Sequence, residues 1–110
     1  MTLQRDLHLW RQRNFPTSGG PTTIPGAVHL LGAVEEIGEL AKAHIKQEQG
    51  IRGTPRDWEY KAQDAVADTI IYLMEYCSDR GWDIGYLVNK TVQEVTSRDW
   101  IKFPFNGVDK

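Results

Sequence analysis

Apolar residues recur along this chain at three- and four-residue intervals, the period of helices that each lay one face against a neighbour. Leu3, Leu7 and Trp10 open the pattern and predict a first helix of about three turns ending near Arg13. The stretch from Phe15 to Gly26 breaks it, because its three prolines and three glycines specify a loop within one domain. The longest stripe follows: Leu30, Val34, Ile37, Ala41 and Ile45, joined by Leu31 and Leu40. It predicts a second helix from about Ala27 to Gln49, stopped by Gly50. After the connection from Ile51 to Arg56, Asp57 is the expected N-cap of a third helix that runs to about Asp79 and buries Val66, Ile70, Leu73 and Cys77. Arg80-Gly81 closes it. Asp83 then caps a fourth helix with the stripe Ile84, Leu87, Val88, Thr91, Val92 and Val95. The tail from Ile101, with Phe103-Pro104-Phe105, should be extended. No stretch alternates as a strand would. The expected fold class is all-α: a short N-terminal helix plus three longer ones in a small helical bundle, with residues 1–110 forming one domain. An N-terminal arm covers about 1–26 and a C-terminal tail about 101–110.

A chain of 110 residues buries only a modest share of its surface. Its Val, Ile and Leu residues also lie on more than one side of the helices, so completion by a homodimer or homotetramer is expected. The 13 basic and 15 acidic residues leave a net charge of −2. That balance argues against nucleic acid as a partner, and a DNA-binding regulator would need a basic recognition helix that is not present. Cys77 is the only cysteine, so there is no intrachain disulfide and no cysteine-based zinc site. Neither a signal-peptide core near the start nor an apolar run of membrane-spanning length occurs. A cytoplasmic setting without a membrane partner is the expectation.

Two acidic patterns stand out against this background: Glu35-Glu36-Ile37-Gly38-Glu39-Leu40 and Asp64-Ala65-Val66-Ala67-Asp68. Glu36 and Glu39 are i,i+3 neighbours, while Glu35 and Glu39, like Asp64 and Asp68, are i,i+4 neighbours. Like charges at those spacings destabilise an isolated helix by a few tenths of a kcal/mol. Stacking them on two helices makes sense if a positive species sits between, and oxygen ligands suit Mg²⁺, with Mn²⁺ as a substitute. The competing reading is a solvated acidic face. A di-iron bundle fails on its own requirement, Glu-x-x-His on two helices. Here the residue three after Glu36 is Glu39, and three after Asp64 is Ala67.

On these residues the chain resembles the MazG-like all-α nucleoside triphosphate pyrophosphohydrolases. Their pattern is Glu-x-x-Glu on one helix and Glu-x-x-Asp on the next. Glu36-Ile37-Gly38-Glu39 fits the first half, and Asp68 with Thr69-Ile70-Ile71-Tyr72-Leu73 fits the end of the second. Arg80-Gly81-Trp82-Asp83-Ile84 looks like the family's turn before its last helix, and the resemblance spans roughly Val28 to Lys102. One position departs: Ala65 stands where the family often has Glu, and Asp64 is one residue earlier.

The resemblance implies an Mg²⁺-dependent hydrolase of nucleotide-pool house-cleaning. It would cut a (deoxy)nucleoside triphosphate, its substrate partner, into monophosphate and pyrophosphate. It implies Glu36, Glu39, Asp64 and Asp68 as metal ligands, with Glu36 and Glu35 in the catalytic role; Glu35 either orients water or is a surface glutamate. Lys90 and Arg98 are expected at the triphosphate, against a solvated face for Lys90. Trp100 is expected to anchor the tail, and Lys42, Lys46 and Arg52 are further phosphate candidates. His29, seven residues before Glu36 and so on its face, either meets a base or serves the helix start. Trp10, with Asn14-Phe15-Pro16, either closes over the nucleotide or packs in the core. A non-catalytic bundle that binds a nucleotide or a protein is the alternative, and the Ala65 departure favours it.

Overall fold

The computed structural model describes residues 2–16 and 24–109. The loop expected from Phe15 to Gly26 falls largely between those segments, so its residues 17–23 lie outside the described residues. Four helices and no strand make up the described residues: α1 (Leu3–Asn14), α2 (Ala27–Gln49), α3 (Pro55–Asp79) and α4 (Ile84–Thr96). The all-α expectation therefore holds. None of these helices is long and apolar enough to cross a membrane.

Local chemistry sets the ends. Gly26 opens α2 at φ 79°, and a Cβ there would meet Tyr76 at 3.0 Å, so both the backbone and the space demand glycine. The start of α3 differs from expectation. Its N-cap is Thr54, not Asp57, with Pro55 in the first turn. Asp57 is instead the third helical residue, and its carboxylate accepts from the Thr54 amide at 2.8 Å while Thr54 Oγ1 accepts from the Asp57 amide at 3.2 Å. This reciprocal box outcompetes a lone Asp cap because it satisfies two amides at once. Those bonds, the Thr54 backbone amide first, hold the Asp57 carboxyl below its usual range. Asp83 caps α4 as expected, accepting from the Tyr86 amide at 2.9 Å.

Helices α2 and α3 pack along their length, and α1 lies on α3. Gln4 fastens α1 there. Its side chain donates to the Trp82 carbonyl at 2.8 Å and accepts from the Ile84 amide at 2.8 Å. The α2–α3 seam is lined by His29, Ala33 and Ala43 from one helix and Trp58, Ala65 and Glu75 from the other, all buried. Small residues let the two backbones approach. At Gly32 a Cβ would lie 2.4 Å from the Tyr72 ring, so the missing side chain is what seats that ring against α2.

The aliphatic stripes were expected to form this seam, and within one chain they do not. Leu30, Val34, Ile37 and Ile45 on α2 are exposed, as are Val66 and Ile70 on α3. Cys77 is buried as expected, and burial pushes its thiol pKa up. Helix α4 buries none of its residues and scarcely contacts α3. The radius of gyration is 18.2 Å, against about 13 Å for a compact chain of this size. The segment after α4 also departs from expectation: it is wound, not extended. The Asp99 carboxylate accepts from the amides of Ile101 and Lys102, Phe103 donates to the Asp99 carbonyl, and Gly107 donates back to Phe103. Gly107 fits against Arg98 and Trp100, so Trp100 does meet the tail, while Phe105 is 88% exposed.

Candidate active site

The two acidic patterns meet across the α2–α3 seam. Glu36 and Glu39 on α2 and Asp64 and Asp68 on α3 line one cavity of about 270 Å³, together with Lys42, Trp58, Lys61 and Ala65. The pattern puts them there because i,i+3 and i,i+4 residues share a helix face, and both faces border the seam. Burial, then the negative charges of Asp68, Glu35, Glu39 and Asp64, raise the Glu36 pKa above its ordinary value of 4.5. None of these four acids has an ion-pair partner within 4.0 Å among the described residues. Lys61 instead stacks 4.7 Å from the centroid of the Trp58 ring. No three of the four acids bring their oxygens within 4.8 Å of one another, the reach of a shared ion; like charges stand apart. The donor set is nonetheless one a hard divalent cation takes: four carboxylates, no thiolate and no imidazole.

Glu36 and Asp68 belong to a second cavity as well. It measures about 370 Å³ and is walled by Trp10, Phe15 and Tyr72, with Leu7, Arg11, His29, Ile71 and Glu75. Trp10 is half exposed and meets Phe15 edge-on at 5.8 Å between centroids. It thus forms part of an aromatic slot and is not a core residue. His29 lines the same slot and is itself buried. Beyond the acids, on the side away from the slot, Lys61 also borders a third cavity lined by Arg52, Arg56, Asp57 and Tyr60. Three cavities thus adjoin through shared residues, aromatic, acidic and basic in turn, the basic one lined by α3 and the loop before it.

Other expected residues are placed elsewhere. Glu35 is exposed and lines neither the acidic cavity nor the slot. Lys90 on α4 and Arg98 just after it line neither cavity. Of the further phosphate candidates, Lys42 borders the acids and Arg52 the basic cavity, and Lys46 borders neither.

A second polar group, not anticipated from the sequence, lies under α1. Arg11 reaches down to α3, where its Nε donates to Glu75 Oε2 at 2.5 Å and its Nη2 donates to Asp79 Oδ1. His8 Nδ1 lies 3.3 Å from the same Glu75 oxygen. His8, Glu75 and Asp79 are close enough to share an ion, all within 4.8 Å. The Arg11 guanidinium already supplies that charge, so the group reads as an internal ion pair. Desolvation lowers and the two carboxylates raise the Arg11 pKa, and the net effect is upward. Two atoms stay unmet. Glu75 Oε1 and His29 Nε2 are buried with no hydrogen-bond partner among the described residues. His29 Nε2 is 3.2 Å from Asp79 Oδ2 but outside hydrogen-bond geometry. The sequence did carry a signal for this group. Asp68, Tyr72, Glu75 and Asp79 continue one face of α3 at intervals of four, three and four.

No family model matches the chain, and neither a curated protein nor a solved structure matches it.

Proposed function

We propose that this chain is a Mg²⁺-dependent nucleoside triphosphate pyrophosphohydrolase. The observation that carries the reading is the sharing of Glu36 and Asp68 between an acidic cavity and an aromatic slot. A nucleotide needs both, a planar apolar slot for the base and a cation site for its phosphates. The resemblance of Glu36-Ile37-Gly38-Glu39 and Asp68 to the MazG-like pattern supports the same conclusion.

Glu36, Glu39, Asp64 and Asp68 would hold the metal. When bound, Mg²⁺ neutralises phosphate oxygens and makes a water more acidic. The chain's residues do the rest. Trp10, Phe15 and Tyr72 take the base, which sets the α-phosphorus near Glu36 and Asp68, where the slot meets the acids. The β- and γ-phosphates then lie toward Lys61, which borders both the acidic and the basic cavity. Water attacks the α-phosphorus, the bond to the bridging oxygen breaks, and pyrophosphate leaves on the basic side. Glu36, which borders both cavities, is the candidate to take a proton from that water. Holding water and phosphorus in line is the larger part of the catalysis.

A second copy belongs to this reading. Leu87, Val88, Val92 and Val95 on α4 and Ile37 and Ile45 on α2 are exposed in the single chain. Burying such faces in a homodimer or homotetramer would stabilise it by about 25 cal/mol per Å². Light scattering that finds a monomer at micromolar concentration would remove this part of the proposal.

The alternative is a bundle that binds nucleotide or protein without turnover. The buried Ala65, where the pattern's third glutamate would otherwise stand, favours it. Incubation with Mg²⁺ and a panel of nucleoside triphosphates separates the two. Monophosphate plus pyrophosphate is the expected product pair; diphosphate plus phosphate would refute the proposed bond. Glu39→Gln should lower turnover by about 100-fold or more while circular dichroism stays unchanged.

A further inference from the structure

We infer that the aromatic slot selects bases whose far edge carries an exocyclic amino group, cytosine and adenine, and that Glu75 is the residue that reads it. This deepens the nucleotide reading above and rests on it. Asp68, Tyr72 and Glu75 stand at i, i+4 and i+7 on one face of α3, so Glu75 lies about 10 Å along the helix from Asp68. With phosphates at Asp68 and Glu36, the point of a base furthest from them reaches Glu75. That point is position 4 of a pyrimidine or position 6 of a purine. It carries an amino group in cytosine and adenine, and a carbonyl in uracil, thymine and guanine.

The Glu75 side chain is only 4% exposed. Its Oε2 accepts from Arg11 and faces His8, while Oε1 is met by nothing among the described residues. An acceptor left unmet in a buried wall costs free energy, and only an N–H or O–H donor relieves it. Arg11 does not supply it: its Nε is on Oε2, its Nη2 is on Asp79, and none of its nitrogens bonds Oε1. His29 lines the same slot, but its Nε2 lies 3.2 Å from Asp79 Oδ2, so Glu75 Oε1 is the group left to read the base. A carbonyl at the same place would set oxygen against a carboxylate oxygen. Sites built around a substrate N–H reject analogues that lack it far more strongly than apolar pockets reject an extra methylene.

The test is calorimetric titration of the full chain, with Mg²⁺, by dCMP, dAMP, dGMP, dTMP and dUMP. The first two should bind at least about tenfold more tightly than the rest, and N4,N4-dimethyl-dCMP should lose that advantage. Glu75→Gln should reverse the order. Arg11 would keep the amide oxygen, the NH₂ would turn into the slot, and keto bases would gain about tenfold over amino bases. If that variant does not fold, the wild-type ranking and the dimethylated ligand decide alone. Equal binding of all five monophosphates overturns the inference. So does equal release of pyrophosphate from all five triphosphates, an outcome that leaves the catalytic reading standing. The expected ranking without any pyrophosphate release would do the opposite: the base preference stands and the hydrolase reading falls.

Discussion

Helix α3 carries two groups of acids that meet opposite fates. Near its end, the buried Glu75 and the half-buried Asp79 hold the Arg11 guanidinium between them under α1. Two turns earlier, Asp64 and Asp68 face Glu36 and Glu39 with no ion pair to any of the four among the described residues. The first group brings its own counter-charge and is a structural joint that also presents one unmet oxygen. The second forms no ion pair among the described residues, although Lys42 and Lys61 border the cavity. These acids stand together without an ion-pair partner, and their charges raise the Glu36 pKa, which is the arrangement the proposed cation would relieve.

The contrast is sharpest if each group is deprived of what balances it. Arg11→Met should cost about 3 kcal/mol, because it strands the buried Glu75 carboxylate and the half-buried one of Asp79. Urea denaturation at fixed protein concentration measures this, and a loss under about 1 kcal/mol would reduce the joint to an ordinary surface pair. The other group should respond to addition. Mg²⁺ at about 100 times its dissociation constant should stabilise the fold by about 2.7 kcal/mol. Asp68→Asn should abolish that gain, and a thermal shift equal in both proteins would show the ion is held elsewhere.

A further acid on α3, Asp57, is satisfied locally by its capping box and serves as a control. Thr54→Ala should cost about 1 kcal/mol with no dependence on Mg²⁺. The pH responses also differ in sign. The Asp57 pKa is lowered on folding, so its contribution is present above the unfolded value of 3.8 and lost as pH falls through the folded one. The Glu36 pKa is raised, so its contribution is present below the unfolded value of 4.5 and lost as pH rises through the folded one. In metal-free protein, Glu36→Gln should therefore flatten the stability profile just above pH 4.5, the smallest effect of the set. An unchanged profile would mean that the four carboxylates do not sense one another.

How far the site was legible follows from the range of each interaction. The metal-type carboxylates were readable because i,i+3 and i,i+4 spacing is fixed by the helix itself, whatever it packs against. His29 was readable for the same reason, being two turns from Glu36 on one face. Glu75 was hidden inside Ile70-Ile71-Tyr72-Leu73-Met74-Glu75-Tyr76-Cys77, which reads as a buried apolar run. Its partner Arg11 lies 64 positions away, and no local spacing connects them. Asp57 was placed correctly at a helix start but in the wrong role, because Thr54 and Pro55 together make the better cap.

Helix number, helix ends and the two acidic faces were thus determined by the sequence alone, since they rest on contacts within four residues along the chain. Which face of each helix turns inward was decided only by the tertiary structure. The wide aliphatic stripes looked like the seam by hydrophobicity. Gly32, Ala33, Ala43 and Ala65 made a different seam possible by letting the backbones close in around Tyr72 and Trp58. Close approach depends on how two surfaces fit, and neither surface carries that information until the other is beside it.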